Sequence, residues 1–366
     1  MSKTISRRRW WSYATAATMS LSVTSGFTSS LLSSKAFAAD PGKHGAKARI
    51  TSSLLPIPSR SIRLKSDDQS RVVVTAIAAD SQGEFLAAAG DDHAIRILKI
   101  SNLQTVKTLR GHRDLIRTLA FNPEGTRLAS AGNDGQLIVW NAEQSFRKSQ
   151  TMQGTPALAC VCFAPESNEM AAVGFDNEVF VIGRRDQKRP NFACECKDLR
   201  SVAYREDSKL LVVGGRSGDL HLFDPENGRM LSDHNIHRGR IHDLAFHHQS
   251  NRVVCVSEDG HLSVFDTGRR ELLQRVQVTT GKLFAVAAIN SQMVAVAGSD
   301  NVIRIVNTDN GKVVRQLDEH GGSVSTLAAS GGVLFSGSYD ATLRRWSLGN
   351  LHSEERIAEG DPRIDR

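Results

Sequence analysis

The sequence predicts an all-β protein built from seven repeated units, and two observations carry this prediction. Stretches such as RLASAGNDGQLIVWN, residues 127–141, read as strand, tight turn and strand, because Asn, Asp and Gly separate two apolar runs. The pattern recurs, each time ending on a bulky apolar residue. These anchors are Leu98, Trp140, Ile182, Phe223, Phe265, Val306 and Trp346, spaced 42, 42, 41, 42, 41 and 40 residues apart. A period of roughly 40–45 residues is typical of propeller blades with four short strands each, so we predict a seven-bladed β-propeller.

The repeats resemble those of the WD40 family, over about residues 61–348. The second unit, GHRDLIRTLAFNPEGTRLASAGNDGQLIVWN, and the seventh, EHGGSVSTLAASGGVLFSGSYDATLRRWS, carry this resemblance most clearly. Elsewhere the family's Trp-Asp ending has changed, to Phe-Asp at Phe223 and Phe265 and to single aliphatic residues in three further units. The period is therefore stronger evidence than the dipeptides.

The resemblance implies a structural role for a set of Ser, His and Asp residues. In this family, a His before the first strand, a Ser or Thr in the second strand, the turn Asp and a third-strand Trp form one hydrogen-bond network. The matching sets are His112, Ser130, Asp134 and Trp140, and His320, Ser336, Asp340 and Trp346. A buried carboxylate needs hydrogen-bond donors, so we expect structural networks here and not catalytic triads.

The fifth unit departs from this pattern. It keeps His237 and Asp259 but has Cys255 and Phe265 at the other two positions. We therefore expect its network to be broken.

The seventh unit lacks an outer strand of its own, because the residues after Ser347 are charged and poor in strand formers. We predict that SIRLK, residues 61–65, supplies this strand and closes the ring, which removes two free sheet edges. Residues 349–366 are expected to form a polar C-terminal tail.

The first forty residues differ from the repeats. A basic start, an uncharged stretch and AFA before Ala39 predict a signal peptide over residues 1–38, followed by a linker over residues 39–60. The run SRRRWW resembles a twin-arginine export signal, with a general secretory leader as the alternative. We expect export to the periplasm or cell envelope. An uncleaved leader anchoring the chain to the membrane is the alternative.

The charge distribution argues against nucleic-acid binding. Residues 1–38 hold five basic residues and no acidic one, so the formal net charge falls from +7 to +2 without them. A nucleic-acid-binding domain generally carries a strong basic footprint of its own. We expect no nucleic-acid partner.

The cysteines are expected to be free, buried thiols. Cys160 and Cys162 are assigned to the innermost strand of the third blade, and Cys194 and Cys196 lie in or just after its outermost strand. At ~4.8 Å per strand step the two pairs lie about 14 Å apart, too far for a disulfide or a shared zinc ion.

The histidines do not predict a metal site. Seven of them fall within residues 221–261, but His242 begins an inner strand whereas His247 and His248 end it at the opposite face. Metal ligands must converge. We expect neither a metal nor a cofactor.

Two sets of residues are candidates for partner binding on the upper face, which carries the network-His loops and the turns between second and third strands. In WD40 proteins this is the usual partner-binding face. Phe175, Arg216 and Tyr339 precede the turn Asp positions, and aromatic residues and Arg are enriched at interface hot spots. The first residues of the inner strands should ring the channel mouth: Thr75, Arg117, Ala159, Arg200, His242, Phe284 and Ser325. Arg117, Arg200 and His242 are expected to make one side of the mouth positive, which suits an acidic segment or an anionic ligand.

These observations favour a non-catalytic, exported, monomeric propeller that binds a protein or peptide through its upper face, as a scaffold or assembly factor. The sequence offers no nucleophile with a matched base and no phosphate-binding loop, so we expect no enzyme. One alternative is a propeller enzyme or small-ligand-binding protein that uses the channel mouth. Another is a sugar- or polymer-binding module, which would need exposed Trp or Tyr.

Overall fold

The repeats fold into a ring of seven antiparallel sheets, the blades of a β-propeller. The computed structural model describes residues 56–183, 192 and 198–349, and every regular element in them is a strand. The innermost strands of neighbouring blades contact one another around the whole ring. The predicted fold class is thereby confirmed.

Each blade begins at the central channel and runs outward. The innermost strands are β2 (Val74–Ala79), β6 (Ile116–Phe121), β10 (Leu158–Phe163), β13 (Leu199–Tyr204), β17 (Ile241–Phe246), β21 (Leu283–Ala288) and β25 (Val324–Ser330). The second strands are β3 (Phe85–Gly90), β7 (Arg127–Gly132), β11 (Met170–Gly174), β14 (Leu211–Gly215), β18 (Arg252–Ser257), β22 (Met293–Gly298) and β26 (Val333–Ser338).

The third and outermost strands complete the blades. The third strands are β4 (Ala94–Lys99), β8 (Gln136–Asn141), β12 (Val179–Ile182), β15 (Asp219–Phe223), β19 (His261–Asp266), β23 (Ile303–Asn307) and β27 (Thr342–Ser347). The outermost strands are β5 (Thr105–Arg110), β9 (Arg147–Gln153), β16 (Met230–Asn235), β20 (Glu271–Gln277), β24 (Val313–Leu317) and, in the seventh blade, β1 (Ser59–Arg63). In the third blade, the structure describes three strands.

An N-terminal strand closes the seventh blade, as predicted. Strand β1 pairs antiparallel with β27, so that Ile62 lies opposite Leu343 and Ser59 opposite Trp346. The strand begins two residues earlier than the predicted segment 61–65. Because β1 and β27 are far apart in sequence, this pairing ties the two ends of the propeller together.

The core is divided among the interfaces between blades. Seven clusters of buried side chains each join two neighbouring blades, and one of them packs Trp140 against Ile97 and Ile116. All seven predicted anchors are buried on third strands. The period of the sequence is thus the period of the core.

Polar side chains add hydrogen bonds between the inner strands, and we call this set the inner belt. Each accepts a backbone N–H of the next blade, so the inner strand of one blade is fixed against the next. The bonds are Val161 N–H to Thr118 Oγ1 (3.1 Å), Leu244 N–H to Ser201 Oγ (3.1 Å), Val286 N–H to Asp243 Oδ2 (3.0 Å) and Ile77 N–H to Thr326 Oγ1 (3.3 Å).

The described cysteines are free thiols, but not all are fully buried. Cys255 is buried on β18, whereas Cys160 and Cys162 on β10 are half-buried, and Cys160 lines the central channel. Burial raises the pKa of the Cys160 thiol to about 11, so it stays protonated and poorly nucleophilic. Cys194 and Cys196 lie outside the described residues.

Among the described residues, no helix has the length and apolar character needed to cross a bilayer. The predicted signal peptide, residues 39–55 of the predicted linker and most of the C-terminal tail lie outside the described residues. Residues 59–60, predicted as the end of the linker, belong to strand β1.

We predict that the half-buried side of β1 holds the ring closed. Replacing Ile62, which packs into the core between the first and last blades, by Asp should lower the free energy of unfolding by roughly 1–3 kcal/mol. The matched control, Ser61→Asp, changes an exposed residue of the same strand and should have little effect. Chemical denaturation of both variants measures the difference. Equal midpoints would show that β1 does not hold the ring.

Candidate interaction surface

Two hydrogen-bond networks anchor the loops of the upper face. In the second blade, Nδ1 of His112 lies 3.0 Å from a carboxylate oxygen of Asp134, and Nε2 lies 2.8 Å from Oγ of Ser130. Trp140 Nε1–H donates to the same Oγ at 2.9 Å. Asp134 also accepts the backbone N–H of Arg113, the residue after the His. The network therefore ties the loop before β6 to the turn between β7 and β8.

The seventh blade repeats this arrangement. His320 lies 3.1 Å from Asp340 and 2.7 Å from Ser336, which accepts Trp346 Nε1–H at 2.9 Å. Burial raises the pKa of Asp340, but hydrogen bonds from Thr342, from the backbone and from His320 outweigh this and lower it to about 2. Burial lowers the pKa of His320, and that of His112 likewise. Both buried imidazoles are therefore neutral and act as structural hydrogen-bonding groups.

The fifth blade lacks half of the network, as expected from its sequence. His237 lies 3.2 Å from Asp259, as in the other two networks. Its Nε2, however, is buried without a hydrogen-bond partner in the part of the chain that the structure describes. Cys255 occupies the place of the serine, so no hydroxyl is available.

A repeated irregularity of the inner strands builds the channel mouth. In every blade the strand register shifts at the second residue of the inner strand, which is left as a β-bulge. A bulge redirects its side chain away from the regular pleat. The bulge residues are Thr75, Arg117, Ala159, Arg200, His242, Phe284 and Ser325, and all of them line one cavity of about 280 Å³ at the channel. The spacing of the repeats predicted these residues at the mouth, but as the first of their strands and without the bulges.

Three side chains from adjacent blades form a basic-aromatic cluster at this mouth. The guanidinium carbon of Arg200 lies 4.1 Å from the ring centre of Phe175, and that of Arg117 lies 5.5 Å from it. Such cation–π contacts stabilise a guanidinium and hold it over the ring. Arg117 is exposed and bonds Asn133 at 2.9 Å. We call Arg117, Phe175 and Arg200 the mouth cluster.

The charges around the mouth cluster are unequal. Asp198 pairs with both Arg200 and Arg240, at 2.7 Å each, and Lys282 pairs with Glu258 at 3.2 Å. Within the described residues, Arg117 has no carboxylate within ion-pair distance. Asp198 therefore offsets only one of the two guanidinium charges beside it, and the charge of Arg117 is not offset by a paired carboxylate of the described residues.

His242 does not add to this charge, contrary to the sequence-based expectation. Burial and the nearby Arg240 lower its pKa to about 4, and Glu258 only partly opposes this. Its ring packs edge-on against Phe284, with centroids 5.2 Å apart. At neutral pH His242 is a neutral, largely packed wall of the mouth.

The other two residues singled out on the upper face lie apart from one another. Phe175 is 38% exposed although it contacts two arginines, and Tyr339 is 56% exposed on the seventh blade, three blades away around the ring. Arg216 is exposed in the turn of the fourth blade, next to the blade that carries Phe175. The structure brings Phe175 together with Arg117 and Arg200, but not with Tyr339.

Sequence reasoning missed Asp243, which follows His242 and lines the same cavity. Its carboxylate accepts the backbone N–H of Val286 and of Leu244 and the hydroxyl of Ser201. Burial nevertheless raises its pKa to about 6. Its role is in the inner belt, and nothing in the spacing of the repeats distinguishes it from the Thr or Ser found there in other blades.

The ring of seven blades and the His–Ser–Asp–Trp networks define a WD40-type β-propeller. The family model described as IFT122 first beta-propeller matches residues 73–347, so the chain belongs to this family of propellers.

The chain matches only a small part of the length of two curated relatives. U3 small nucleolar RNA-associated protein 21 of Saccharomyces cerevisiae is 22% identical over 152 residues, which are 41% of this chain and 16% of the yeast protein. The human U3 small nucleolar RNA-associated protein 18 homolog is 30% identical over 116 residues, 31% of this chain and 20% of the human protein. The crystal structure of the Cps50 (Swd1) β-propeller domain of Myceliophteria thermophila aligns with a TM-score of 0.69 and 18% identity, covering 79% of this chain and 99% of that domain. This last likeness concerns the fold alone.

We predict that Asp243 gives the propeller a distinctive pH dependence. Because its pKa in the fold, about 6, is above the ordinary 3.8, its contribution to stability is fully present below pH 3.8 and is lost as pH rises through 6. The Asp243→Asn variant cannot ionise there. The free energy of unfolding of the variant minus that of the parent should therefore become more positive between pH 5 and pH 7.5, as measured by chemical denaturation.

The control is Asp207→Asn. Its carboxylate is partly exposed and the hydrogen bond from Arg205 lowers its pKa, so it is ionised throughout this pH window. The difference for this variant should stay constant. A constant difference for Asp243→Asn as well would contradict the assignment.

Proposed function

We propose that this chain is a non-catalytic interaction module that binds an acidic segment of a partner protein over the channel mouth of its upper face. The mouth cluster is the observation that carries the proposal. It combines an exposed aromatic ring with two arginines, and aromatic residues and Arg are enriched at protein interfaces relative to the rest of the surface.

The geometry of the mouth suits a carboxylate-bearing segment in particular. Arg117 contacts Phe175 and donates a hydrogen bond to Asn133, but it has no ion pair with a carboxylate among the described residues. Its guanidinium group can therefore pair with a carboxylate of the bound protein. Guanidinium groups recognise carboxylates with two parallel hydrogen bonds. Because the bulges fix the strand positions behind these side chains, little ordering is needed on binding.

A scaffold role is also consistent with what the similar proteins are named for. Two of them are named as associated with U3 small nucleolar RNA, and neither name describes an enzyme. The Ser, His and Asp residues of the second and seventh blades, which would otherwise suggest a hydrolase, are hydrogen-bonded within the two structural networks.

We further propose that the module works outside the cytoplasm. The basic start, uncharged stretch and AFA of residues 1–38 support export, and the run SRRRWW supports the twin-arginine route. Membrane contact would then be limited to the leader, if it is not cleaved.

Capture from an envelope extract tests the binding proposal. The variant with Arg117→Glu and Phe175→Ser should lose at least tenfold of the partner recovered by the parent, and parental binding should weaken with salt. The matched control, Arg127→Glu with Val106→Ser, makes the same kinds of change at exposed sites on β7 and β5, away from the mouth. It should bind like the parent. Recovery by the mouth variant that equals recovery by the control variant would contradict the mouth as the binding site. No recovery by the parent would instead favour a small ligand in the channel.

Cell fractionation tests the export proposal. When the gene for residues 1–366 is expressed, the protein recovered from the periplasm should begin at Ala39, as read by N-terminal sequencing. Replacing Arg7 and Arg8 by Lys should block export by the twin-arginine route, since that route requires the arginine pair, whereas a general secretory leader would tolerate the change. Cytoplasmic parent protein with an intact leader would contradict export.

A further inference from the structure

A second candidate site lies on the fourth blade, away from the channel mouth. Asp219 and His221 occupy alternate positions on β15, so both side chains point to the same face of the sheet. In the register of β15 and β16, His221 is directly opposite Asp233. One ligand atom from each of the three residues lies within 4.8 Å of the other two.

We propose that Asp219, His221 and Asp233 form a binding site for a zinc-like divalent cation. Zinc binds imidazole nitrogen at about 2.0–2.1 Å and carboxylate oxygen at about 2.0–2.2 Å, so two ligands of a tetrahedral ion are about 3.4 Å apart. Nδ1 of His221 lies 3.1 Å from Oδ1 of Asp233, close to this spacing.

The charges of the group favour a cation. Among the described residues, neither Asp219 nor Asp233 has a Lys or Arg within ion-pair distance, unlike Asp198 and Asp259. Two carboxylates and one neutral imidazole would neutralise a divalent ion. This donor set of nitrogen and oxygen ligands suits zinc and related transition metals better than calcium, which takes oxygen ligands.

The surroundings hold the ligands in place. The side chain of His221 is 4% exposed and packs near the ring of Phe223, so its imidazole has little freedom. Nδ2–H of Asn235 donates to Oδ1 of Asp219 at 2.7 Å, which orients that carboxylate and leaves its second oxygen for the ion. Such outer hydrogen bonds are typical supports of metal ligands.

The exposure of the group leaves the ion accessible. The side chain of Asp233 is 52% exposed, so water can complete the coordination sphere. Because two ligands come from β15 and one from β16, the bound ion would fasten the outermost strand of the blade to the third strand. The expected role is therefore structural.

Titration of the chelator-treated protein with Zn²⁺ by isothermal calorimetry tests the site. The parent should bind one equivalent that Asp233→Asn weakens at least tenfold, and His221→Gln should weaken it further. Asn235→Ala should cost about 10–100-fold, the usual effect of losing an orienting partner. The matched control is His248→Gln, which removes an exposed histidine outside the group and should leave the affinity unchanged.

Two further measurements distinguish zinc at these three residues from zinc bound elsewhere on the chain. Zn²⁺ should raise the melting temperature of the parent but not of Asp233→Asn, and because Asp233 is half-exposed this substitution leaves the core intact. Co²⁺ should give the visible bands of a tetrahedral site without a sulfur-to-cobalt charge-transfer band. The proposal is overturned if the parent binds no Zn²⁺, if Asp233→Asn binds it like the parent, or if the cobalt spectrum shows thiolate ligation.

Discussion

Closure of the ring is the constraint on which the rest of this structure depends. Each blade packs one face of its sheet against the preceding blade and the other face against the following blade. The first and last blades therefore bury both faces only when the ring is closed. Strand β1 achieves this by pairing with β27, and the inner belt fixes the inner strands against one another near the channel. The loops of the upper face therefore have fixed positions, because the strands that carry them are packed against a neighbouring blade on each side.

The same few residues of each inner strand serve the ring and the mouth. At Arg200–Ser201 the bulge turns the first side chain toward the mouth, while the second accepts a backbone N–H from the next blade. His242 and Asp243 repeat this division in the following blade. A change that alters the belt would therefore also move the mouth, which couples stability of the ring to the arrangement of the candidate binding residues.

Most of the fold could be predicted from the sequence, because each blade repeats the same strand pattern and buries its anchor residue in the same place. The networks of His112 and His320 could be predicted too, since in both blades the Ser lies four positions before the turn Asp and the Trp six positions after it. The neutral state of His242 could not, because it depends on burial and on Arg240 packed beside it. The bulges could not either, since they are a property of strand register and leave no mark on composition.

The ligand group on the fourth blade shows the same limit. Looking for several histidines that converge does not find this group, because His221 is its one histidine and its other two members are Asp219 and Asp233. Asp233 lies opposite His221 on the neighbouring strand β16. Asp219 and Asp233 are fourteen positions apart in the chain, and only the register of β15 with β16 brings them together. The pairing of the third strand with the outermost strand is therefore a part of this propeller that its repeat period does not specify.

Site-directed photo-crosslinking in living cells shows whether the channel mouth contacts a partner protein. A photoreactive residue in place of Phe175 lies within the mouth cluster. One in place of Val106, which is 45% exposed on the outermost strand β5, lies on the outer edge of the propeller. We predict a discrete protein adduct from position 175 and none from position 106. An adduct from position 106 alone would contradict binding of a partner protein at the channel mouth.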